Sequence, residues 1–476
     1  MKTIKERLSI LPQEMPLQEP LARTRTMNEV ALGYREEQAR QEAERCLGCA
    51  NAPCVAACPV QVPIPRFIAE IQDGRFQSAI QCIKESNLLP AVCGRVCPQE
   101  KQCQSACTVG KSLKAVEKAV AIGRLERFAA DWERKEGCAA LPPRKAPTGK
   151  KVAVIGSGPA GITCAAECLR FGHDVTIFEA LHKTGGVLIY GIPEFRLPKS
   201  IVEAEIDNLK KMGARIETNV LIGRTISLTA LQKEYDAIFI GSGAGLPKFL
   251  GIAGEDLSGV FSANEYLTRA NLMKAYERER ADTPLVQSKR VVVVGGGNVA
   301  MDAARMARRL GAEDVHIVYR RTRDEMPARA EEVEHAVQEG VIFDFLRNPT
   351  AIQGKGQVSG VELQCFTLGA PDSSGRRAPI SDTAQANYSF ECDTVIVALG
   401  NEPNPLLTRL YPELKADSRG RILVTEDYKT SVDKIYAGGD IVQGAATVIR
   451  AMGDGRKAAH ALISAAGCSK AAAGCF

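Results

Sequence analysis

The chain has 476 residues and an apolar fraction of 45%, and at about 150 residues per domain this predicts a packed protein of about three domains. Its net charge is +5, and so small a basic excess spread along the chain argues against nucleic acid as a partner. No run reaches the roughly 18 consecutive apolar residues of a membrane helix, and the opening residues lack the apolar stretch of a signal peptide. We therefore expect a cytoplasmic protein that does not contact a membrane, in which cysteines are thiols or metal ligands rather than disulfides.

The N-terminal segment is rich in cysteine. Nine of the 16 cysteines fall between Cys46 and Cys107, among patterns typical of short helices and turns. They include two groups, which are Cys46, Cys49, Cys54 and Cys58, and then Cys93, Cys97, Cys103 and Cys107. Thiolates this dense are typical ligands of zinc or of iron–sulfur clusters. Structural zinc prefers two close pairs per ion, so the wider gaps favour iron–sulfur clusters and leave zinc as the alternative.

The rest of the chain has a different sequence pattern. Residues 140–150 contain three prolines and three basic residues and are interpreted as a linker. After it, short β-branched runs alternate with helical patterns, which predicts parallel sheets in α/β domains. Two glycine-rich starts predict two nucleotide-binding units, the second inserted into the first. The predicted domains are a helical domain at 1–145, a first nucleotide-binding domain at 146–286 and 392–476, and a second at 287–391.

The first glycine-rich loop follows an apolar strand in the sequence KVAVIGSGPAG, residues 151–161. A G-x-G-x-x-G spacing between a strand and a helix is the dinucleotide-binding fingerprint, because its glycines permit a tight turn, close approach of a pyrophosphate and close helix–strand packing. The N–H groups at the helix N-terminus favour phosphate. Glu179 ends the next strand, where a carboxylate binds ribose hydroxyls and disfavours a 2′-phosphate, so FAD or NAD is expected. The residues assigned to this site are Gly156, Gly158, Pro159, Ala160, Gly161 and Glu179.

FAD is favoured over NAD by the segment KIYAGGDIVQG, in which an aspartate after a strand can reach the ribityl or phosphate region of a flavin. This segment and YDAIFIGSG resemble recurrent motifs of the glutathione-reductase type of flavoprotein, which carries two dinucleotide-binding domains. The disulfide reductases of that group carry a redox cysteine pair, but Cys164 and Cys168 lie on the helix after the glycines and are interpreted as small buried residues. We also assign Gly186, Gly439 and Asp440 to the flavin site. The remaining cysteines, interpreted as ordinary thiols, are Cys82, Cys138, Cys365, Cys392, Cys468 and Cys475.

The second βαβ unit begins near residue 289 and repeats the three small residues of the fingerprint. At the end of its second strand the acid is replaced by Arg320 and Arg321. Guanidinium groups match a phosphate in charge and geometry, so NADP(H) is favoured and NAD(H) is the alternative. Glu325 and Glu331 are interpreted as exposed acids that could line the nicotinamide end. The residues assigned to this site are Gly295, Gly297, Asn298, Val299, Ala300, Arg320 and Arg321.

Along nearly all its length the chain resembles the small (beta) chain of bacterial glutamate synthase. The same module forms the N-terminal part of dihydropyrimidine dehydrogenase and the large subunit of NADH-dependent reduced ferredoxin:NADP oxidoreductase. The motifs that carry the resemblance occur in order and are ERCLGCANAPCVAACPV, LPAVCGRVCPQEKQC, AIGRLERF, GSGPAG, GGVLIYGIPEFRLPK, GGGNVAMD, YRRTRDEMPA and AGGDIVQGA. The resemblance implies an α/β protein with two Rossmann-like domains of the glutathione-reductase type, preceded by an α-helical iron–sulfur domain. It also implies FAD, NADP(H) and two [4Fe–4S] clusters as cofactors.

The resemblance further implies that the cluster ligands interleave instead of following the two cysteine groups. One cluster would be bound by Cys46, Cys49, Cys54 and Cys107. The other would be bound by Cys58, Cys97, Cys103 and an oxygen ligand, Glu126, which would alter the reduction potential of that cluster. Cys93 is then left without a cluster to bind.

These assignments predict an NADPH-oxidising, electron-input subunit similar to the glutamate synthase small chain. Hydride would pass from the nicotinamide to FAD chiefly through proximity of the two rings, and electrons would leave singly through the clusters. No glutaminase domain, synthase barrel or pyrimidine-reducing domain is recognisable, so the acceptor is expected on a second redox subunit. That subunit would be a glutamate synthase large chain, or a small ferredoxin-linked flavoprotein if the chain is instead a ferredoxin:NADP oxidoreductase large subunit. A zinc-stapled, non-catalytic nucleotide-binding scaffold is the alternative of another class.

Overall fold

The structure is a computed structural model that describes residues 2–139, 141–277, 279, 281–285, 287–373 and 375–465. The predicted thiols Cys468 and Cys475, and the end of the range 392–476, lie outside the described residues. The helices before residue 139 are α1 (Ile4–Ser9), α2 (Pro20–Arg23), α3 (Glu36–Ala43), α4 (Pro53–Ala56), α5 (Ile64–Gln72), α6 (Phe76–Lys84), α7 (Pro90–Val96), α8 (Cys103–Ala106), α9 (Thr108–Ser112) and α10 (Ile122–Glu136). Short 3₁₀-helices span Gln99–Lys101, Val116–Lys118 and Arg323–Glu325.

The part after residue 150 combines strands and helices. Its helices are α11 (Pro159–Arg170), α12 (Val187–Tyr190), α13 (Lys199–Lys211), α14 (Leu228–Glu234), α15 (Ala263–Asn271), α16 (Asn298–Arg309), α17 (Ala330–Gln338), α18 (Leu406–Leu410), α19 (Asp440–Gln443) and α20 (Val448–Ala465). Its strands are β1 (Lys151–Ile155), β2 (Asp174–Phe178), β3 (Arg215–Glu217), β4 (Ala237–Ile240), β5 (Leu246–Pro247), β6 (Val260–Ser262), β7 (Arg290–Val294), β8 (Asp314–Tyr319), β9 (Ile342–Phe345), β10 (Arg347–Gly354), β11 (Val358–Pro371), β12 (Arg377–Ser381), β13 (Tyr388–Glu391), β14 (Thr394–Val397), β15 (Asn401–Glu402) and β16 (Ile435–Ala437).

The N-terminal helices form a small domain around an apolar core. The helices α5, α6 and α10 are amphipathic, and they bury Phe67, Ile80 and Leu125 completely. The helix α10 ends at Gly137, whose φ of 64° provides a left-handed C-cap. The backbones of α7 and α10 lie in close contact. The predicted α-helical domain at the N-terminus is therefore confirmed.

Five parallel strands in the order β16-β4-β1-β2-β3 form the sheet of the first nucleotide-binding unit. The central strand β1 leads through residues 156–161 into α11, so the glycine-rich loop lies at the carboxyl edge of the sheet, where such sheets bind ligands. The strand β16 comes from the C-terminal part of the chain. This unit is therefore built from two separate stretches of sequence.

The second unit contains another sheet of five parallel strands, in the order β6-β14-β7-β8-β9. The boundaries predicted at 286 and 392 assign β6 and β14 to the first unit, and the structure corrects them, because β14 pairs with both β6 and β7. A buried parallel strand has the same apolar pattern in either sheet, so the pattern does not indicate its partner. The antiparallel sheet β10-β11-β12, with β13 on β11, and the pair β5–β15 complete the strand pairing.

A buried charge network joins the N-terminal segment to the second unit. Arg23 is fully buried, and its Nε donates to Glu339 at 2.8 Å. The same carboxylate accepts hydrogen bonds from Arg305 at 2.8 and 3.0 Å and from Arg309 at 2.6 Å. Burial raises the pKa of Glu339, but the guanidinium groups outweigh this effect and lower it to about 2. The carboxylate therefore stays ionised and holds three cations around it.

The network continues between the two nucleotide units. Arg196, in the loop before α13, donates to both carboxylate oxygens of Asp302 at 2.7 Å and pairs with Glu332 at 3.1 Å. The ring of Phe195 lies 3.8 Å from the guanidinium carbon of Arg309, which adds a cation–π contact. Breaking a buried ion pair leaves an uncompensated charge, at a cost of about 3–5 kcal/mol. The network therefore resists displacement of one unit relative to the other.

The helical domain packs directly against the first nucleotide unit. Leu125 and Ile80 of the helical domain belong to the same buried apolar cluster as Leu169 of α11 and Met452 of α20. In the described part of the chain, no helix combines the length and apolarity needed to span a membrane.

The contact between α7 and α10 can be tested with Gly94→Ala. A Cβ at this position would lie 2.6 Å from the amide nitrogen of Arg127 and 2.8 Å from its Cα, so the backbone of α10 has to move. We expect the free energy of unfolding to fall by about 1–2 kcal/mol, since overpacking outweighs the helix propensity gained by alanine. Denaturant unfolding of the variant measures this loss. Gly245→Ala is the matched control, because nothing lies within 4 Å of its Cβ position. Equal stability of the two variants would contradict the predicted clash.

Candidate functional site: two nucleotide cradles and two cysteine-lined cavities

The first glycine-rich loop is closely packed on one side and open on the other. Gly156 has a φ of 97°, and a Cβ on Gly161 would lie 1.9 Å from the carbonyl oxygen of Gly156. Nothing lies within 4 Å of the Cβ position of Gly158. The helix α11 begins at the next residue, Pro159, and Ala160 is buried. The loop therefore leaves room for a pyrophosphate at Gly158, beside the free N–H groups of the first turn of α11.

Glu179 lies at the end of β2 and faces this loop. Its carboxylate accepts hydrogen bonds from the N–H of Ser157 at 3.0 Å and from the hydroxyl of the same residue. The Ser157 hydroxyl oxygen also accepts from the N–H of Gly185 at 3.0 Å. The next residue, Gly186, has a φ of 55°, and a Cβ there would lie 2.8 Å from the Cα of Gly158. These contacts place Glu179, which is predicted to bind the ribose, next to the glycine-rich loop that is predicted to bind the pyrophosphate.

The C-terminal part of the chain contributes the other side of this cradle. Gly439 has a φ of 80°, and a Cβ there would lie 2.9 Å from the Cβ of Ala160. Asp440 therefore lies next to the glycine-rich loop. Burial raises the pKa of Asp440 to about 6, against a hydrogen bond from the N–H of Ala446 at 3.2 Å.

One residue of this cradle is absent from the sequence-based assignment. Asp454 is 5% exposed and accepts hydrogen bonds from the N–H of Gly439 at 3.1 Å, the hydroxyl of Tyr428 at 2.8 Å and the amide of Gln443 at 2.8 Å. It therefore fixes the turn that carries Asp440. The available signal is the sequence GDG inside a helix, because two glycines beside an acid indicate close backbone neighbours.

The second glycine-rich loop resembles the first in its positive φ and in its open side. Gly295 has a φ of 144°, and the nearest atom to the Cβ position of Gly297 is 4.0 Å away. The helix α16 begins at Asn298, with Val299 41% exposed and Ala300 fully buried. The open side of this loop and the first turn of α16 form a second cradle for a pyrophosphate.

The two arginines after β8 have different surroundings. Arg320 is exposed at the end of the strand, whereas Arg321 is 4% exposed. The guanidinium of Arg321 donates to Asp372 at 2.5 Å and to the carbonyl oxygen of Arg377 at 2.7 Å. Arg321 is therefore engaged by protein groups in this structure, whereas Arg320 is exposed. Glu325, expected as an exposed acid, is 6% exposed and accepts from Arg377 at 2.5 Å.

The helical domain contains a first cavity that is lined by four cysteines. Its cysteines are Cys46, Cys49, Cys54 and Cys107. The remaining lining is mostly apolar and includes Ile64, Ile68 and Ile122. Burial raises the pKa of Cys54 to about 12, so this thiol becomes a thiolate readily only when a metal binds it. The structure brings together the four residues that the resemblance groups in one cluster site.

A second cavity lies beside the first. Its lining includes the other implied ligand set, which is Cys58, Cys97, Cys103 and Glu126. Ile64 and Ile122 line both cavities, so the two are neighbours. Cys93, expected to have no cluster to bind, also lines the second cavity.

Glu126 is held by a residue that the sequence did not single out. The amide nitrogen of Asn87 donates to Glu126 at 2.6 Å, and Asn87 Oδ1 accepts from the N–H of Leu89 at 2.9 Å. Burial raises the pKa of Glu126 to about 8, against the hydrogen bond from Asn87. The sulfur of Cys93 lies 3.5 Å from the sulfur of Met452. Asn87 therefore engages one carboxylate oxygen of a side chain that lines the second cavity.

The donor sets fit a polynuclear cluster better than a single ion. Within the described residues, no three His, Cys, Asp or Glu side chains converge closely enough to bind one metal ion. A structural zinc site needs four ligands at about 2.0–2.3 Å from one point. The ligands of a cuboidal cluster surround it, as the cysteines here surround two cavities.

Comparison with known families agrees with this division of the chain. Residues 23–138 match the family model described as "Dihydroprymidine dehydrogenase domain II, 4Fe-4S cluster". Residues 150–455 match the model described as "Pyridine nucleotide-disulphide oxidoreductase". The second match covers more than half of the chain.

Among relatives, the small chain of NADPH glutamate synthase from Escherichia coli (strain K12) is 37% identical over 439 residues, which is 90% of this chain and 92% of that one. The chain belongs to the glutamate synthase small chain family. The beta subunit of NADP(+)-dependent formate dehydrogenase from Moorella thermoacetica is 40% identical over 434 residues. That match covers 86% of this chain but only 59% of the relative, so the chain spans about six tenths of its length.

The fold of the nucleotide-binding part is found in solved structures. FprA from Mycobacterium tuberculosis has a TM-score of 0.58 and 22% identity, over 69% of this chain and 87% of that one. This family member is therefore an NADPH-dependent FAD oxidoreductase with a [4Fe–4S] domain, on the two-domain flavoprotein fold that was predicted. The zinc-stapled, non-catalytic scaffold is set aside.

The open space at Gly158 gives a test of the first cradle. We expect Gly158→Ala to weaken FAD binding at least about tenfold without changing the stability of the FAD-free protein, because the methyl group takes only the place of the pyrophosphate. Gly161→Ala is expected to weaken FAD binding and also to destabilise the FAD-free protein, because its Cβ would lie 1.9 Å from a carbonyl oxygen. Flavin fluorescence and thermal unfolding measure the two effects. Full FAD affinity in Gly158→Ala would show that the pyrophosphate lies elsewhere.

Proposed function

We propose that the protein is an electron-input subunit that takes electrons from NADPH and passes them, through FAD and two [4Fe–4S] clusters, to a partner subunit. Bound FAD accepts a hydride as two electrons, and the clusters carry electrons singly. The single observation that supports this route is the continuity of the first nucleotide cradle with the two cavities.

Helix α20 joins the flavin cradle to the second cavity. A Cβ on Gly455 would lie 2.2 Å from the carbonyl oxygen of Ala160, in the first glycine-rich loop. Six residues earlier on the same helix, Ile449 lines the second cavity. Met452, between them, lies 3.5 Å from Cys93. A single helix thus separates the flavin site from the second cavity, which favours that cavity as the first acceptor.

The first cavity is proposed as the site from which electrons leave for the partner subunit. It shares Ile64 and Ile122 with the second cavity. Three of its cysteines are partly exposed, which are Cys46, Cys49 and Cys54. In the second cavity Cys58 is partly exposed, whereas Cys93, Cys97 and Cys103 are buried. An acceptor on another chain therefore has closer access to the first cavity.

The remaining roles follow from the side chains. Glu179 and Asp440 would hold the ribose and ribityl hydroxyls of FAD, and Arg320 would bind the 2′-phosphate of NADPH. The cluster ligands would be the two sets that line the cavities, with Glu126 as the oxygen ligand of the second. No acid or base is needed for hydride transfer, so the residues act by holding the cofactors in place.

The partner is proposed to be a glutamate synthase large chain or a protein that plays the same part. The names of the E. coli and Moorella relatives describe a small chain and a beta subunit, so each belongs to a larger enzyme. The second candidate is the large subunit of a ferredoxin:NADP oxidoreductase. Anaerobic affinity purification with mass spectrometry of co-eluting chains distinguishes them. A large glutaminase-containing partner supports the first, a small flavoprotein supports the second, and a chain that elutes alone contradicts both.

The ligand assignment predicts different effects for two neighbouring cysteines. Anaerobically purified protein is expected to contain about eight iron atoms and eight acid-labile sulfides for two [4Fe–4S] clusters. Cys103→Ala is expected to lose about half of both, because a ligand of the second cluster is removed. Cys93→Ala is the matched control, since it lines the same cavity and is expected to retain them all. Loss of iron in Cys93→Ala would make Cys93 a ligand and contradict the role of Glu126.

The preference for NADPH is predicted to depend on Arg320. Arg320→Gln removes a charge-assisted hydrogen bond to the 2′-phosphate, so kcat/KM for NADPH should fall about 10- to 100-fold while that for NADH stays the same. Arg323→Gln is the control, because Arg323 is also exposed and pairs with Glu334 at 3.2 Å. Steady-state rates with ferricyanide as acceptor give both values. An equal fall in kcat/KM for NADH would show that Arg320 does not recognise the 2′-phosphate.

A further inference from the structure

A short segment of the second nucleotide unit, residues 326–331, bridges two sites. On one side, the N–H of Ala328 donates to the carbonyl oxygen of Gly296 at 3.2 Å, and the N–H of Arg329 donates to the side chain of Asn298 at 2.9 Å. Both acceptors belong to the second glycine-rich loop and the start of α16. On the other side, Lys101 of the helical domain donates to the carbonyl oxygen of Pro327 at 2.7 Å. The segment therefore has a fixed position between the second cradle and the helical domain.

The side chain of Arg329 extends from this segment to the wall of the second cavity. Its Nη1 donates to the carbonyl oxygen of Arg95 at 2.8 Å, and its Nη2 donates to Gln99 Oε1 at 3.2 Å. These two acceptors flank Cys97 in the chain, and Gln99 and Cys97 both line the second cavity. The Arg329 side chain is 8% exposed. A buried cation thus lies beside the cysteine that is proposed as a cluster ligand.

Two carboxylates offset part of this charge. Glu331 pairs with Arg329 at 2.8 Å and Glu100 lies at 3.8 Å, but their side chains are 32% and 26% exposed. Water therefore screens these carboxylates more than it screens the buried guanidinium. Glu331 is also shared with Arg124, at 3.5 Å.

We propose that the buried charge of Arg329 makes an iron–sulfur cluster bound in the second cavity easier to reduce. This rests on the proposed function. Reduction adds one negative charge to a cluster, and a fixed cation nearby stabilises the reduced form. At an effective dielectric constant of about 20, one buried charge changes a one-electron equilibrium by on the order of tenfold. The second nucleotide unit thus supplies, through Arg329, a cation to a site in the helical domain.

The test is an anaerobic potentiometric titration of the full-length protein, followed by electron paramagnetic resonance. The second cluster is identified as the one whose signal changes in Glu126→Gln. In Arg329→Gln we expect the equilibrium constant for its reduction to fall about tenfold, which is about 59 mV for one electron. In Arg329→Lys, which keeps the charge, we expect most of the wild-type potential. The potential of the first cluster should change less than that of the second in both variants.

A variant of opposite sign keeps the test decisive if Arg329→Gln fails to fold. Glu331→Gln removes a negative partner of Arg329 and should raise the reduction potential of the second cluster. General damage to the site would not be expected to raise that potential. Arg75→Gln, an exposed arginine of the same domain, is the control and should change neither potential. An unchanged second potential in Arg329→Gln, an equal fall in Arg329→Lys, or no rise in Glu331→Gln would overturn the proposal. Fewer than about eight iron atoms in the wild type would instead contradict the two-cluster function itself.

Discussion

Helix α20 packs against the first glycine-rich loop on one side and against the helical domain on the other, and the arrangement of the sites depends on these two contacts. Glycines make them close: a Cβ on Gly455 would lie 2.2 Å from Ala160, and one on Gly453 would lie 3.0 Å from the carbonyl oxygen of Pro59. Pro59 follows Cys58, a lining residue of the second cavity. Backbone contacts thereby set the distance between the first nucleotide cradle and the second cavity. Such contacts change less than contacts between flexible side chains.

The buried charge network has a different role in the same arrangement. Seven charged groups of the N-terminal segment and the two nucleotide units share it, which are Arg23, Arg196, Asp302, Arg305, Arg309, Glu332 and Glu339. A buried ion pair contributes little net stability, because desolvation offsets the attraction, but removing one partner is costly. The network therefore selects one relative position of the units. Hydride transfer between two bound cofactors requires such a fixed position.

The helical domain makes contacts with both nucleotide units. Its core is continuous with that of the first nucleotide unit, and the second unit reaches its cavity wall through Arg329. Domains that meet only through small polar interfaces are expected to move relative to one another. Here the apolar core and the buried charges act together, so folding brings the two nucleotide cradles and the two cysteine-lined cavities into one assembly.

The sequence by itself determined the kinds of site and their order along the chain. Glycines at the ends of apolar strands, dense cysteines and a charged strand end are local patterns, and each reports a chemical requirement directly. The tertiary structure decided what these patterns could not. It grouped cysteines from two blocks around two cavities, assigned β6 and β14 to the second sheet, and paired Arg321 with Asp372. It also brought Asp454, Asn87 and Arg329 to sites far from them in the chain. All of these depend on contacts between distant residues, and a local pattern contains no information about which distant residue will be its partner.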